Sequence, residues 1–391
     1  MNIALFSDTY PPEINGVATS VQNLRKTLQA HGHNVLVVTT NPFGKEILFE
    51  DGILRLPGVE LKQMYGYRFA RIYDKKAMDI VAYFRPDVMH IQSDMSVGMF
   101  GMIAAARLHV GSIYTFHTMI EDYAYYVTKG HFDRFARHSV RWFFRTKSNM
   151  FDSMIAPSDK IKDYLRSINI DSMVDVIPTG IEFSRFDPIK EDPERTAKLK
   201  KKFRIAPDDY VILSLGRVAK EKSIDLVLRG YRKFLNQNPK KKTKLVIVGW
   251  GPAEDELHEL TGQLKLNDNV IFAGKCDPSE TQDYYRLGNC FVSASLTETQ
   301  GLTYMEAMAA HLIVLARYDD NLAHTIEEGE TGYFFFSEDD LADKLHTVIS
   351  LDNAKRKKIE SAAIKAIDPY SMDKFYENVY EVYQRVRKKN W

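Results

Sequence analysis

The sequence of 391 residues is poor in cysteine, and its two cysteines, Cys276 and Cys290, are too few for a disulfide framework. They fit a reducing compartment, and we expect both thiols to be buried apolar fillers. Long hydrophobic runs are also missing, since the longest nearly uncharged stretch, residues 97–106, is too short to span a bilayer. The first residues lack the basic start and apolar core of a signal peptide, which predicts a cytoplasmic protein whose membrane contact is peripheral.

The sequence has no excess of charge of either sign. Lysine and arginine number 53 against 52 acidic residues, a net charge of +1, which argues against a dedicated nucleic-acid binder. No histidine or cysteine cluster has the spacing of metal ligands, and no Asp-x-Asp follows a predicted strand, so we expect no metal and no cofactor. The Gly-x-Gly-x-x-Gly fingerprint is absent, which argues against a nicotinamide-dependent dehydrogenase.

Short apolar segments alternate with amphipathic ones, which predicts an α/β fold with parallel sheets. The predicted strands form two series: 3–6, 35–39, 88–91, 113–116, 154–156 and 174–177, then 211–215, 245–248, 270–273, 291–294 and 313–316. The polar, proline-containing segment 187–209 between them is the best linker candidate. We predict an N-terminal domain over 1–188, a C-terminal domain over 189–368, and a final segment 369–391. Its helix, about 371–389, can pack on either half, including a return to the N-terminal domain.

The strongest motif contains two glutamates, Glu298 and Glu306, around a glycine turn at Gly301. The preceding strand should aim this turn at the carboxyl edge of the sheet, where such folds bind ligands. Free amides at the start of the following helix favour a diphosphate. Glu298 would accept hydrogen bonds from sugar hydroxyls, and Glu306 would hold a ribose diol. The alternative is a solvated helix start, because glutamate is common in first turns.

A second motif places two cations, Arg217 and Lys222, in the loop after strand 211–215. The next helix has Ser223 as its expected N-cap. Arginine forks onto two phosphate oxygens and lysine acts as a point charge, so the pair suits a leaving diphosphate that gains negative charge. The alternative is a solvated basic loop.

Two weaker signals lie in the first half. Gly16, between the first strand and its helix, would let a diphosphate approach the backbone at a helix N-terminus, or it only makes a turn. His117 ends strand 113–116, where it could bond the transferred sugar or the acceptor. A lone histidine there is more often structural.

Taken together, the Glu-x7-Glu motif, Gly-Arg with a lysine five residues on, and segments 248–252 and 177–181 resemble the retaining glycosyltransferases of family 4 over nearly the whole chain. The resemblance implies the GT-B fold, two Rossmann-like domains facing a cleft, with no essential metal. Three positions depart from the pattern: Asn15 and Ser223 stand where glycine is common, and Gln300 where phenylalanine is common.

The resemblance also implies roles for individual residues. Arg217 and Lys222 would bind the diphosphate, Glu298 the sugar hydroxyls, Glu306 the ribose, and the turn after strand 270–273 would border the base. The catalytic set is His117, Arg217, Lys222 and Glu298. The donor-binding set is Gly16, Arg217, Lys222, Lys275, Cys276, Glu298, Thr299, Gln300, Gly301, Leu302 and Glu306.

The segment 295–309 narrows the resemblance to the bacterial diacylglycerol glucosyltransferases. These move glucose from UDP-glucose to a membrane diacylglycerol with α-linkage, so the implied partners are a UDP-sugar and diacylglycerol in an anionic membrane. Glucose and galactose stay open, as do successive sugar addition and the oligomeric state. A phosphatidylinositol, a polyprenyl-linked glycan or a soluble sugar are alternative acceptors, and a non-catalytic nucleotide-sugar-binding module is an alternative function.

Residues 123–150 carry a separate signal for a membrane surface, six basic residues against one acidic residue with many aromatics between them. Arginines spaced three and four apart share a helix face, and a basic, aromatic helix suits an anionic bilayer. The alternative is that the aromatics fill the core and the arginines are solvated. Segment 61–76 has a similar composition. The expected membrane-binding residues are Arg134, Arg137, Arg141, Trp142 and Arg145.

Changing Arg134, Arg137, Arg141 and Arg145 to glutamine should weaken binding to anionic vesicles far more than binding to neutral ones. Each basic residue near an anionic surface contributes about 1 kcal/mol. Raising the salt concentration should mimic the change in the wild type, and UDP binding should persist. Vesicle co-sedimentation tests this: a wild type indifferent to lipid charge, or a folded quadruple variant that binds equally well, would favour a soluble acceptor.

Overall fold

The computed structural model describes residues 1–13, 15–60, 68–117, 148, 150–170, 173–188, 192–296, 298 and 300–389. Thr299 and the predicted membrane-binding residues Arg134, Arg137, Arg141, Trp142 and Arg145 lie outside the described residues, as do residues 61–67 of segment 61–76. No described helix is both long enough and apolar enough to cross a bilayer. The chain forms two compact units, Met1–Gly180 with Met372–Trp391, and Ile181–Ser371.

The strands, in chain order, follow the predicted series closely. They are β1 (Asn2–Phe6), β2 (Asn34–Asn41), β3 (Leu48–Glu50), β4 (Ile53–Glu60), β5 (Arg68–Ala70), β6 (Val88–Ile91), β7 (Ser112–Thr115), β8 (Ser153–Ala156), β9 (Val174–Val176), β10 (Tyr210–Leu215), β11 (Thr243–Val248), β12 (Val270–Gly274), β13 (Cys290–Ser293), β14 (Ile313–Arg317) and β15 (Tyr333–Phe335).

The α-helices among the described residues alternate with these strands. They are α1 (Gly16–Ala30), α2 (Lys75–Phe84), α3 (Ser96–Leu108), α4 (Asp159–Ser167), α5 (Pro193–Lys202), α6 (Ile224–Gln237), α7 (Glu254–Gln263), α8 (Thr281–Tyr285), α9 (Leu302–Ala309), α10 (Glu338–Ile349), α11 (Asn353–Ala366) and α12 (Met372–Lys389). Single 3₁₀ turns occupy Phe183–Arg185, Lys220–Lys222, Pro278–Glu280 and Asp368–Tyr370.

Each unit is built on one sheet. In the described part of the first unit the strand order is β3-β4-β2-β1-β6-β7-β8-β9, with β5 paired to β4, and only the β3/β4 and β4/β5 pairs are antiparallel. In the second unit the order is β12-β11-β10-β13-β14-β15, and every pair is parallel. That order runs third, second, first, fourth, fifth, sixth, the arrangement of a dinucleotide-binding sheet with its topological switch point between β10 and β13.

Helices cover both faces of these sheets, which is why the central strands are continuous apolar runs. In β1 the four residues from Ile3 to Phe6 are all fully buried. Helix α1 turns Val21, Leu24 and Leu28 toward the same core as the apolar face of α12. The second unit likewise has separate apolar clusters around its sheet.

The C-terminal helix α12 packs on the first unit. The buried imidazole of His90 lies 2.7 Å through Nδ1 from the hydroxyl of Tyr383 in α12, and 2.6 Å through Nε2 from Thr115 Oγ1. Both partners are hydroxyls, so a neutral imidazole is satisfied whichever nitrogen carries the proton. A Cβ at Gly180 would lie 2.7 Å from Phe375 Cβ, so a glycine in segment 177–181 lets α12 approach.

The boundary between the units falls at Gly180 rather than at 188. Ile181 and Phe186 are buried in a core of the second unit, which assigns the 3₁₀ turn between them to that unit. The segment expected to be a linker contains helix α5, which begins where Asp192 accepts hydrogen bonds from two backbone amides. Pro193 fits the first helical position because that position needs no N–H donor.

The two cysteines lie in the second unit and are free. Cys290 is buried, as predicted, whereas Cys276 is half-buried. Burial raises the pKa of the Cys290 thiol to about 12 and that of Cys276 to about 11, so neither is a thiolate near neutral pH.

Removing the hydroxyl of Tyr383 should destabilise the first unit. Tyr383→Phe leaves a buried nitrogen of His90 without its partner, which should cost about 1 to 3 kcal/mol. Tyr380→Phe on the same helix is the control, because the Tyr380 hydroxyl makes no hydrogen bond to any described residue. Calorimetric unfolding measures the difference, and equal transition temperatures for both variants would contradict it.

The buried His90 should also make the stability of the first unit sensitive to acid. Burial lowers the pKa of His90 from 6.5 to about 3, so the folded chain binds fewer protons there than the unfolded chain does. The contribution of the neutral imidazole is therefore complete above pH 6.5 and is lost as the pH falls toward 3.

Candidate functional site

Two of the predicted site residues, Lys222 and Glu298, meet at the switch point of the second sheet. The loop after β10 carries Arg217 and Lys222, and the loop after β13 carries Glu298. β10 and β13 are parallel neighbours, so both loops leave the same carboxyl edge. The chain continues to opposite sides from there, which opens a crevice at such a point.

Lys222 and Glu298 form an ion pair across this switch point. Lys222 Nζ lies 2.6 Å from Glu298 Oε1 and 3.4 Å from the hydroxyl of Ser295. The side chains of Lys222 and Glu298 are 24% and 17% exposed, so the pair is screened less by solvent than a surface pair is. Asn321 Nδ2 donates to the Glu298 carbonyl at 3.4 Å, which ties the loop after β13 to the loop after β14.

The second predicted cation, Arg217, is exposed and is ion-paired with Glu221 in the same loop. Both cations therefore contact carboxylates, a pairing that the motif spacing did not predict. The binding of diphosphate by Arg217 and Lys222, and of sugar hydroxyls by Glu298, stays a prediction.

A close backbone contact fixes the start of the cation loop. Gly216 has φ 152° and Gly249 has φ 140°, values that L side chains rarely adopt. A Cβ on Gly249 would lie 1.8 Å from the Gly216 carbonyl oxygen, and one on Gly251 would lie 2.3 Å from the Val218 carbonyl oxygen. The glycines of segment 248–252 are therefore required by contact with the loop that carries Arg217.

The loop ends at Ser223, which has φ 48° and ψ 43° in the left-handed region. The predicted N-cap position is right, but Ser223 makes no side-chain capping hydrogen bond. The left-handed backbone explains why glycine suits this position.

Glu306 lies one turn into helix α9, behind the left-handed turn at Gly301, whose φ is 82°. Its Oε2 accepts a hydrogen bond of 2.8 Å from the hydroxyl of Tyr285. Burial raises the pKa of Glu306 to about 7, although the Tyr285 hydrogen bond and the charge of Arg185 oppose the rise. The carboxylate is thus poised to change charge near neutral pH.

The remaining predicted donor-binding residues of the second unit lie at the start of α9 and in the loop after β12. Gln300 is buried and Leu302 is half-buried at the start of α9. Cys276 lies close enough to Glu306 for the carboxylate to raise the pKa of the thiol. Lys275 is exposed in the loop after β12, an edge strand of the sheet.

In the first unit, Gly16 is the first residue of α1. A Cβ there would meet no described atom within 4 Å, so the backbone at this helix start is open. Asn15 caps the helix, accepting a hydrogen bond of 2.8 Å from the amide of Ala18. The departure from glycine at Asn15 thus supplies an N-cap.

His117 lies at the carboxyl end of β7, with Nε2 2.5 Å from Gln92 Oε1 in the loop after β6. Burial lowers the pKa of His117 to about 4, so the ring is neutral at physiological pH. With Nε2–H donating to Gln92, Nδ1 is an acceptor.

Several residues that shape the site were missed from the sequence: Gln92, Glu221, Tyr285, Ser295 and Asn321. Glu221 carries a weak signal, since it follows Arg217 by four residues, while the others become neighbours only through the sheet order. Among the described residues, no group of three or more His, Cys, Asp or Glu side chains is arranged to hold a metal ion.

Sequence profiles of two families match the chain. The profile described as Glycosyltransferase Family 4 covers residues 14–185, and that described as Glycosyl transferases group 1 covers residues 195–366. The alpha-monoglucosyldiacylglycerol synthase of Streptococcus pneumoniae is 36% identical over 88% of this chain and 77% of its own length. The protein of the same name from Acholeplasma laidlawii is 33% identical over 88% and 87%.

Solved structures confirm the predicted GT-B fold. Anabaena HepE in complex with UDP-glucose superposes with a TM-score of 0.74 at 17% identity, over 98% of this chain and 100% of that chain. Sucrose-phosphate synthase from Thermosynechococcus elongatus superposes with a TM-score of 0.75 at 19% identity, over 99% of both. Given the sequence relatives and the matched profiles, this chain belongs to glycosyltransferase family 4.

Proposed function

We propose that this protein is a retaining hexosyltransferase that moves glucose from UDP-glucose to a membrane diacylglycerol and forms alpha-monoglucosyldiacylglycerol. The names of the two relatives described above support the acceptor and the product. The observation that carries the transferase chemistry is the Lys222–Glu298 pair at the carboxyl edge of the second sheet. The protein would act at the inner face of the cell membrane.

The donor would lie along the carboxyl edge of the second sheet. Glu306 would receive the ribose hydroxyls, and the start of α9 with Arg217 and Lys222 would receive the diphosphate. The 2.6 Å contact places Glu298 beside the same lysine, so a sugar held by Glu298 would have its anomeric carbon next to the phosphate that leaves. In the first unit, Gly16 would contact the β-phosphate. His117 would contact a hydroxyl of the transferred sugar or of the acceptor.

In the proposed reaction, the bond from the anomeric carbon to the β-phosphate oxygen breaks. The acceptor hydroxyl oxygen bonds to that carbon on the same face, so the anomeric configuration is kept. The departing phosphate oxygen takes the hydroxyl proton, which balances the step. Lys222 and Arg217 would stabilise the charge that grows on the diphosphate, a role that elsewhere falls to a metal ion.

The ion pair between Lys222 and Glu298 is compatible with binding of the donor. An ammonium has three N–H donors, so Lys222 can keep its bond to Glu298 while donating another to a phosphate oxygen. Glu298 then keeps a fixed orientation toward the sugar, and fixed charges need little reorganisation as the reaction proceeds.

Product analysis tests the proposed function. The protein is incubated with UDP-glucose, UDP-galactose or GDP-mannose and vesicles that contain diacylglycerol, with and without EDTA. We expect an α-linked monoglucosyl lipid from UDP-glucose, at the same rate with chelator, because cationic side chains neutralise the diphosphate.

Transfer to a water-soluble acceptor alone would overturn the lipid assignment, and a β-linked product would overturn retention. Loss of activity with EDTA and its return with magnesium or manganese would contradict the metal-independent mechanism.

Removing the positive charge of Lys222 or Arg217 should slow sugar transfer. Lys222→Ala and Arg217→Ala should each lower turnover by roughly tens to thousands of fold, the range for deleting a donor to developing charge. Lys220→Ala is the matched control, because Lys220 lies in the same 3₁₀ turn but is 77% exposed and paired with Glu256. Steady-state kinetics give the comparison, and wild-type turnover in the folded Arg217→Ala, Lys222→Ala double variant would refute the site assignment.

A further inference from the structure

We propose that Tyr285 is a positioning residue for the nucleotide sugar, because its buried hydroxyl orients the Glu306 carboxylate and keeps it in the form that accepts hydrogen bonds. This inference rests on the proposed role of Glu306 in holding the ribose. No sequence motif marked Tyr285, which enters the site only through the packing of α8 against α9.

The position of the Tyr285 hydroxyl is fixed by the core around its ring. Tyr285 is fully buried, with Phe186 edge-on at a centroid distance of 5.5 Å and Phe291 tilted at 6.0 Å. The hydroxyl emerges at α9, 2.8 Å from Glu306 Oε2 and 3.2 Å from the carbonyl oxygen of Thr303. Because Phe186 and Phe291 pack against the ring, the Tyr285 hydroxyl has a fixed position. The hydrogen bond therefore orients the Glu306 carboxylate toward that position.

The hydrogen bond occupies one side of the carboxylate and leaves the rest for a ligand. A carboxylate offers about four lone-pair sites on its two oxygens. Tyr285 uses one site on Oε2, so Oε1 and a second site on Oε2 remain for two vicinal hydroxyls. The tyrosine can thus orient Glu306 without competing with a ribose diol.

The groups around Glu306 explain how the tyrosine affects its charge. Tyr285 faces it from α8, Arg185 from the 3₁₀ turn Phe183–Arg185, and Cys276 from the loop after β12. Burial raises the pKa of Glu306, while the Tyr285 hydroxyl and Arg185 lower it. The pKa of Tyr285 is itself raised well above 10, so its hydroxyl stays a donor at any working pH.

The ionisation of Glu306 should make UDP binding depend on pH. Two ribose hydroxyls donate to the carboxylate and favour its charged form, so UDP binding should release a proton near pH 7. Affinity should rise with pH until Glu306 is ionised. Without the Tyr285 hydroxyl the pKa of Glu306 should rise, and the rise in affinity should move to higher pH.

The test measures UDP binding by titration calorimetry across the pH range on either side of 7 for wild type, Tyr285→Phe and Glu306→Gln. The control is Tyr231→Phe, which removes another buried hydroxyl of the second unit, bonded to Thr243. Tyr285→Phe should weaken UDP binding by about tenfold at pH 7, the effect of one hydrogen bond to a charged group, and should raise the pH midpoint by about one unit.

The outcomes separate this inference from the proposed role of Glu306. Suppose that Glu306→Gln binds UDP more weakly, whereas Tyr285→Phe matches wild type in UDP affinity and in pH midpoint. That result overturns the inference and leaves the role of Glu306 intact. A Glu306→Gln with wild-type affinity overturns the role itself. Equal effects of Tyr285→Phe and Tyr231→Phe, without a shift in midpoint, would mean loss of packing and would also overturn the inference. A raised midpoint in Tyr285→Phe alone, with KM for the donor changed more than kcat, supports it.

Discussion

The ion pair between Lys222 and Glu298 is the contact on which the proposed donor site depends. Its two residues are 76 positions apart in the chain and meet only because β10 and β13 are adjacent parallel strands. The strand order places the switch point between them, so the crevice and the charged groups arise from the same feature. An isolated lysine or glutamate at a loop tip would be solvated, whereas this half-buried pair holds both groups in one geometry.

Backbone contacts hold the cation loop in place for that pair. Gly216 and Gly249 touch through their main chains, as do Val218 and Gly251, and Ser223 ends the loop in a left-handed turn. These restraints are local, and they fix the backbone from which Lys222 reaches Glu298. The segment 248–252 is part of the family resemblance for this reason: its glycines shape a neighbouring loop.

Sequence reasoning predicted most of this architecture, and its omissions have physical causes. Apolar runs that are buried on both faces predicted the central parallel strands of both sheets, but β4 was missed because Arg55, Pro57 and Gly58 interrupt its pattern. The motif residues followed from their place at strand ends. Tyr285 and Asn321 did not, because a hydrogen bond between distant elements leaves no periodic or local signal. The boundary between the two units lies at Gly180, ahead of the polar segment that composition marks, because Ile181 and Phe186 pack in a core of the second unit.

The central parallel strands of both sheets follow the same order around a switch point, and a single carboxylate makes the two switch points differ. In the first unit the switch point lies between β1 and β6, and there Asp8 accepts hydrogen bonds from Ser93 Oγ, Ser96 Oγ and the amide of Val97 at 2.6 to 2.8 Å. The N-terminus of α3 is thus already satisfied by a buried carboxylate of the protein, so an anionic ligand would meet a like charge there. In the second unit the start of α9 follows a glycine turn without a side-chain capping hydrogen bond, and Lys222 is ion-paired with Glu298 in the loop that leads to it. Under the proposed function, charge therefore favours the diphosphate at the second sheet. The first sheet presents a neutral His117, which suits a hydroxyl, and an open backbone at Gly16, which suits the close approach of a ligand.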